Sequence, residues 1–176
     1  MNARVNSTLQ VGQLLRVLRR VEGRKKLHKQ VHILQELGYP FAERFEYSYY
    51  GMYSRELRAE VVSLVKDSLV QEKASPNQAA ELTYTFESTP ALDEFLDGSE
   101  VPKEPPWAPI AKHLNSLHTK QLEGVSTILF LHRRGLRGRE LRARFHALKP
   151  HLKDIYPRCE QEASSLLAAH VRPAAS

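Results

Sequence analysis

Between residues 23 and 57 the hydrophobic period changes twice, and that change restricts the chain to a mixed fold. Leu27, Val31, Leu34 and Leu37 recur at helical spacing until Gly38-Tyr39-Pro40 ends the run. Phe45, Tyr47 and Tyr49 then alternate with Arg44, Glu46, Ser48 and Tyr50, which predicts a strand over 44–50. Gly51 turns the chain, and Ser54 caps a further helix carrying Leu57, Val61, Leu64, Val65 and Leu69. A helix, a Tyr-rich strand and a second helix in one short block fit neither an all-helical bundle nor an all-β sandwich.

The flanking segments extend the same reading. Leu14, Leu15, Leu18 and Val21 predict a first helix over 7–22, capped by Ser7 or Asn6 and closed by Gly23. Residues 70–73 and 81–87 form a hairpin around Ser75-Pro76-Asn77, with Leu82, Tyr84 and Phe86 on one face. Thr89-Pro90 opens a short helix to Leu96. Pro102, Pro105, Pro106 and Pro109 make the following stretch a linker, and Trp107 within it is expected to be a peg packing the linker onto a domain. Helices resume with Ile110, Leu114 and Leu117, then over 120–134 with Thr119 as cap. A basic helix covers 138–148, and a last helix ends near His170 with Pro157 at its start or at a kink. The expected fold is α+β and mostly helical. A winged-helix-like N-terminal unit with a small antiparallel sheet covers 1–98, a Pro-rich linker 99–109, and C-terminal helices packed on the unit 110–171; 172–176 is a frayed tail. One departure from a helix-turn-helix is plain: residues 38–53, with a strand, separate the two helices that would read DNA.

Charge narrows the class of partner. A formal net charge of +6 favours acidic partners such as nucleic acid, an anionic membrane surface or an acidic protein. The longest apolar run, 128–131, is far too short to span a bilayer, so no membrane partner is expected. The start of the chain, with Asn2, Arg4, Asn6 and Ser7, lacks the apolar core of a secretory signal. The single Cys159 can form no internal disulfide, and a reducing, cytoplasmic setting is expected.

Two basic clusters are the candidate binding residues. Arg16, Arg19, Arg20, Arg24, Lys25, Lys26 and Lys29 crowd the junction of the first two helices, with Tyr50, Tyr53 and Arg55 as neighbours in the same block. Arg133, Arg134, Arg137, Arg139, Arg142 and Arg144 form the second, and the acidic stretch 87–104 lies between them in sequence. Phosphate binding needs such density, because neutralised phosphates release counterions. The competing reading is a solvated helix face neutralised by its own carboxylates. A single basic stripe of duplex width favours nucleic acid, and interruption by 87–104 favours a protein partner. The third helix presents Arg55, Glu56, Arg58, Glu60, Lys66 and Asp67, a mixture of signs poorly suited to reading bases.

Catalytic chemistry is sparse. His28 and His32 stand four apart on one helix face, but without a neighbouring carboxylate and beside Lys25 and Lys29 they are expected to border a core stripe rather than bind metal. Tyr47, Tyr49, Tyr50 and Tyr53 can stack bases or pack over the second helix. Cys159 has no local signature of a thiol nucleophile. Phosphate-loop, dinucleotide and nucleophile-elbow motifs are absent.

The block Gly23-Arg24-Lys25-Lys26-Leu27-His28-Lys29, the run from Phe45 through Gly51-Met52-Tyr53-Ser54-Arg55-Glu56-Leu57, and the later Leu148-Lys149-Pro150-His151 resemble the YwgA family of bacterial proteins. The first two blocks resemble, more distantly, the Panacea (SocA-like) domain, which often has Gly-Pro where this chain has Gly51-Met52. The resemblance implies a bacterial cytoplasmic binding protein with no established catalytic residues, and the Panacea likeness implies an antitoxin-like role through protein contact. The reading as a whole is a non-enzymatic regulatory or binding protein, without cofactor or metal, whose basic surface engages an anionic partner. DNA or RNA is the leading expectation. A protein-interaction module of antitoxin or adaptor type is the alternative, and a metal- or thiol-dependent enzyme a weaker one.

Overall fold

A computed structural model of the protein describes residues 3–77 and 79–170; the expected tail at 172–176 lies outside them. The first helix, α1 (Ala3–Leu18), starts earlier and ends sooner than its periodicity suggests. Ser7 therefore sits inside the helix, where its hydroxyl donates to Glu43 Oε1 at 2.9 Å instead of capping. Arg19 adopts a left-handed φ of 62°, which stops the helix. The chain then forms a short strand, β1 (Arg20–Glu22), which periodicity assigned to the helix. Gly23, expected to close the first helix, instead precedes the next with φ 109°.

α2 (Arg24–Glu36) is buried over most of its circumference, from Leu27 through Leu34. The predicted single strand is a hairpin, β2 (Glu46–Ser48) and β3 (Gly51–Tyr53). The turn falls at Tyr49-Tyr50, and Gly51 (φ 83°) opens the return strand rather than making the turn. α3 (Arg55–Lys66) follows, with Ser54 Oγ accepting from the Leu57 N–H at 3.1 Å as its sequence requires. The long hairpin β4 (Val70–Pro76) and β5 (Leu82–Ser88) pairs antiparallel, and β1 adds to β5 with Val21 opposite Phe86. The sheet order is β1-β5-β4. In chain order α1, β1, α2 and α3 lead into the β4–β5 hairpin, with β1 returning to the sheet and the β2–β3 hairpin lying between α2 and α3.

The C-terminal helices are α4 (Pro90–Asp97), α5 (Ala108–Ser116), α6 (Thr119–Arg133), α7 (Gly138–Leu148) and α8 (Tyr156–His170), with a 3₁₀ turn over Pro150–Ile155 before the last. His118, rather than Thr119, caps α6, its Nδ1 accepting from the Lys120 N–H. α6 packs along α2, where His32 Nδ1 meets Ser126 Oγ at 2.8 Å. One apolar cluster joins α1, α2 and α3 to α5, α6, α7 and α8. The Pro-rich stretch is tied down. Pro102 O accepts from Gln13 and Arg16, and the fully buried Trp107 rests 5.4 Å from the Phe41 ring.

A carboxyl pair lies between α1 and α3. Burial, and then the neighbouring Glu43 carboxylate, push the Glu60 carboxyl up to about 7. A raised carboxyl means that the folded state holds the proton longer than the unfolded chain. Stability is therefore lost as pH rises from about 4.5 to about 7, by roughly 1 kcal/mol once solvent screening at this partly buried site is discounted. Glu60→Gln is expected to raise the melting temperature at pH 8 and to flatten its dependence between pH 5 and 8, as followed by circular dichroism. A Glu60→Gln profile parallel to the wild type would exclude the pair as its source.

Candidate interaction cleft

A cleft of about 400 Å³ opens between α2, the β2–β3 hairpin, α3 and the sheet. Each wall follows from local spacing. The first turns of α2 supply Arg24, Lys25, Leu27, His28 and Lys29, and the hairpin supplies Tyr50, Met52 and Tyr53. Arg58, Val61, Val62 and Val65 come from one face of α3, where positions three and four apart align. Glu72 and Phe86 close it from the sheet. The floor is apolar: Leu27, Met52, Val61 and Phe86 are buried. The rim is cationic, with Lys25 and Arg58 exposed and without a carboxylate partner among the described residues. Lys25 Nζ stands 4.3 Å from the centre of the exposed Tyr50 ring.

The hairpin wall is held by a buried lysine. Lys29 is 3% exposed, and its Nζ donates to Tyr50 O at 2.9 Å and Met52 O at 2.6 Å. Burial pulls its ammonium down to about 8, with Lys149 and Lys25 adding to the effect and Glu123 opposing it. Lys149 also approaches Gly51, its Nζ 2.6 Å from Glu123 Oε1. A Cβ on Gly51 would come within 3.1 Å of Lys149 Nζ and 3.3 Å of Lys29 Nζ. His28 is likewise internal. It accepts from the Ser54 N–H at 3.1 Å and stacks on Tyr53, and burial with the nearby Lys29 and Arg58 charges lowers it to about 4.

The two basic clusters fare differently. In the first, most cations are consumed within the fold. Arg16 is buried against Asp97, Arg19 pairs with Asp93 at 2.7 Å, and Arg20 with Glu22 and Glu87. Arg24 pairs with Glu72 at 2.7 Å and covers the Tyr84 ring, and Lys26 donates to Asn115 O. Glu87, Asp93 and Asp97 thus belong to the acidic stretch that interrupts the basic surface. Lys25 remains, and Arg58, not singled out as a site by spacing, joins it across the cleft. Tyr50 lines the mouth, Tyr53 packs inward, and Arg55 lies exposed at the start of α3. In the second cluster Arg133 pairs with Glu36 at 3.0 Å. Arg134 lies over Phe130, Arg137 donates to backbone carbonyls, and Arg142 approaches the Tyr156 ring. Arg139, Arg142 and Arg144 are exposed on α7 without a carboxylate partner among the described residues.

His28 Nδ1 accepts from the Ser54 N–H, whereas His32 Nδ1 meets Ser126 Oγ and its Nε2 lies 3.4 Å from Glu36 Oε1, so the two rings serve separate contacts. Among the described residues no group of three or more His, Cys, Asp or Glu could hold a metal ion. Cys159 is fully buried, and burial pushes its thiol up to about 11, which keeps it protonated. None of the described helices is long and apolar enough to cross a membrane.

The fold and cleft define a mostly helical α+β protein with a cation-rimmed apolar groove. The chain is similar to a Bacillus subtilis (strain 168) protein described as "Uncharacterized protein YwgA", with 29% identity over 127 residues, 72% of this chain and 74% of that protein. This bears out the resemblance to the YwgA family. No family model matches the chain, and no solved structure matches it.

Proposed function

We propose that the protein is a non-enzymatic interaction module whose cleft takes an acidic segment of a protein partner, one bearing an apolar side chain. The observation that carries this reading is the pairing of an apolar floor with Lys25 and Arg58, two rim cations without a carboxylate partner among the described residues. An acidic segment gains Coulomb attraction at the rim and buries apolar surface below it. The neutralisation of Arg16, Arg19, Arg20 and Arg24 by Glu72, Glu87, Asp93 and Asp97 supports a protein partner over a nucleic acid at this face. A cytoplasmic setting suits the buried free thiol of Cys159.

A second reading has its own observation. Arg139, Arg142 and Arg144 stand exposed on one helix with Glu140 as the single carboxylate of that helix, which supports phosphate contact at α7. One experiment separates the two. Fluorescence anisotropy is followed for a labelled acidic peptide with a central Phe-Leu pair, for its lysine-substituted counterpart, and for duplex DNA. The acidic peptide is expected to bind and the basic one not. Lys25→Glu/Arg58→Glu should weaken the acidic peptide at least about tenfold. Equal affinity of wild type and this variant for the acidic peptide would sink the cleft reading. DNA binding lost in Arg139→Glu/Arg142→Glu/Arg144→Glu, and kept in the cleft variant, would favour the second.

A further inference from the structure

Five large apolar side chains stand exposed among the described residues: Tyr49, Tyr50, Val62, Leu82 and Phe95. Two line the cleft and a third adjoins it. Tyr50 and Val62 line it, and Tyr49 packs edge-on against Tyr50 with ring centroids 5.1 Å apart. Phe95 lies elsewhere, on α4. The inner side of that helix, Leu92 and Leu96, is fully buried against Gly12 of α1, which leaves Phe95 on the outer side, 47% exposed. Glu94 beside it and Glu100 just after the helix are exposed and have no ionic partner among the described residues. Asp93 and Asp97, by contrast, are spent on Arg19 and Arg16. The chain therefore carries an apolar socket with two unpaired cations and, on a different element, an aromatic knob with two unpaired carboxylates.

We propose that the occupant of the cleft is a second copy of this chain, docking α4 with Phe95 over the apolar floor and Glu94 and Glu100 against Lys25 and Arg58. This rests on the cleft reading and names its partner. The charges are complementary, and a cleft of about 400 Å³ is large enough for an aromatic ring and its flanking methylenes. Knob and socket share no residue, so the contact is head to tail. Each pair keeps one free knob and one free socket, and association grows with concentration into rings or chains. Salt weakens it, because the paired charges sit at an exposed rim.

Sedimentation velocity of the full chain over a concentration series, at low and high salt, reads this directly. The wild type is expected to self-associate at low salt. Phe95→Ala, and separately Lys25→Glu/Arg58→Glu, should each associate at least about tenfold more weakly. All are surface changes, and thermal melts confirm folding. The decisive sample mixes the two variants. One keeps its socket and the other its knob, so the mixture should form a one-to-one pair and stop there. A wild type that is monomeric throughout, variants that associate like it, or a mixture that stays monomeric would each overturn the proposal. Acidic-peptide binding by a monomeric wild type would remove the second copy as occupant and leave the cleft reading standing, and loss of both would remove both.

Discussion

Lys149→Met is expected to lower the unfolding free energy by about 3 kcal/mol or more, the cost of leaving a largely buried carboxylate without its cation. Lys149 is 2% exposed, and its Nζ is 2.6 Å from Glu123 Oε1. The Glu123 side chain is only 18% exposed. His151 Nε2, at 3.3 Å from the same oxygen, is a half-exposed and weaker substitute. The loss should also reach the cleft. Lys149 Nζ closes on Gly51 beside Lys29, which holds the Tyr50 and Met52 carbonyls. Urea unfolding should show a lower midpoint with an unchanged slope. The double variant Lys149→Met/Glu123→Leu should recover most of the loss, because it removes the orphaned charge as well as its partner. A single variant as stable as the wild type would show that the pair contributes nothing, and a double variant no better than the single would place the cost in packing.

How much of this was legible beforehand depends on sequence distance. Ser54 was readable because a cap acts on the Leu57 N–H three residues away. Trp107 was readable as a peg because it is a large apolar side chain in a Pro-rich stretch, although Pro109 falls in the first turn of α5 and Trp107 stands at the start of that helix. β1 was not. It has one apolar residue, Val21, between charged neighbours, and it becomes a strand only by pairing with β5, more than sixty positions on. The hairpin turn at Tyr49-Tyr50 escaped the period-two pattern for a similar reason. Its wall is fixed by Lys29 from α2 and abutted by Lys149 from beyond α7, and nothing local announces either.

Charge shows the limit of local reading most clearly. Seven cations near the α1–α2 junction read as one binding surface. Folding brings Glu72, Glu87, Asp93 and Asp97 back onto them, and several become internal ion pairs. Each exposed pair is worth about 1 kcal/mol or less, so their effect on stability is small. Their effect on recognition is larger, since a neutralised arginine offers little to a phosphate. What remains for binding is a smaller set, Lys25 with Arg58, and Arg58 was visible in the sequence only as part of a mixed-charge helix face. Lys29, Gly51 and Lys149, far apart in sequence, converge around one hairpin and build the wall of the cleft.

Gly124→Val is expected to lower stability by about 3 kcal/mol, and the melting temperature by about 6 to 12 °C for a chain of this size. Gly124 lies in the middle of α6, where glycine costs about 1 kcal/mol relative to alanine, so a close approach must offset it. That approach is α8. A Cβ at Gly124 would overlap the Cys159 Sγ, lie 3.1 Å from the Cys159 Cβ and touch the Phe145 ring at 3.7 Å. Neither helix can yield cheaply, because α6 is also packed on α2 and Phe145 is itself fully buried. Helix propensity favours the substitution by a few tenths of a kcal/mol, and overpacking outweighs it several-fold. Two measurements make the cause specific. Cys159→Ala in the Gly124→Val background should return about 1 kcal/mol, because it removes the atom that collides first, whereas alone it should destabilise by opening a small void. The buried, protonated thiol should also react slowly with disulfide reagents in the wild type and much faster in Gly124→Val, as α8 is pushed away from α6. Strict additivity of the two substitutions, with thiol reactivity unchanged, would mean that α6 and α8 do not meet at these residues.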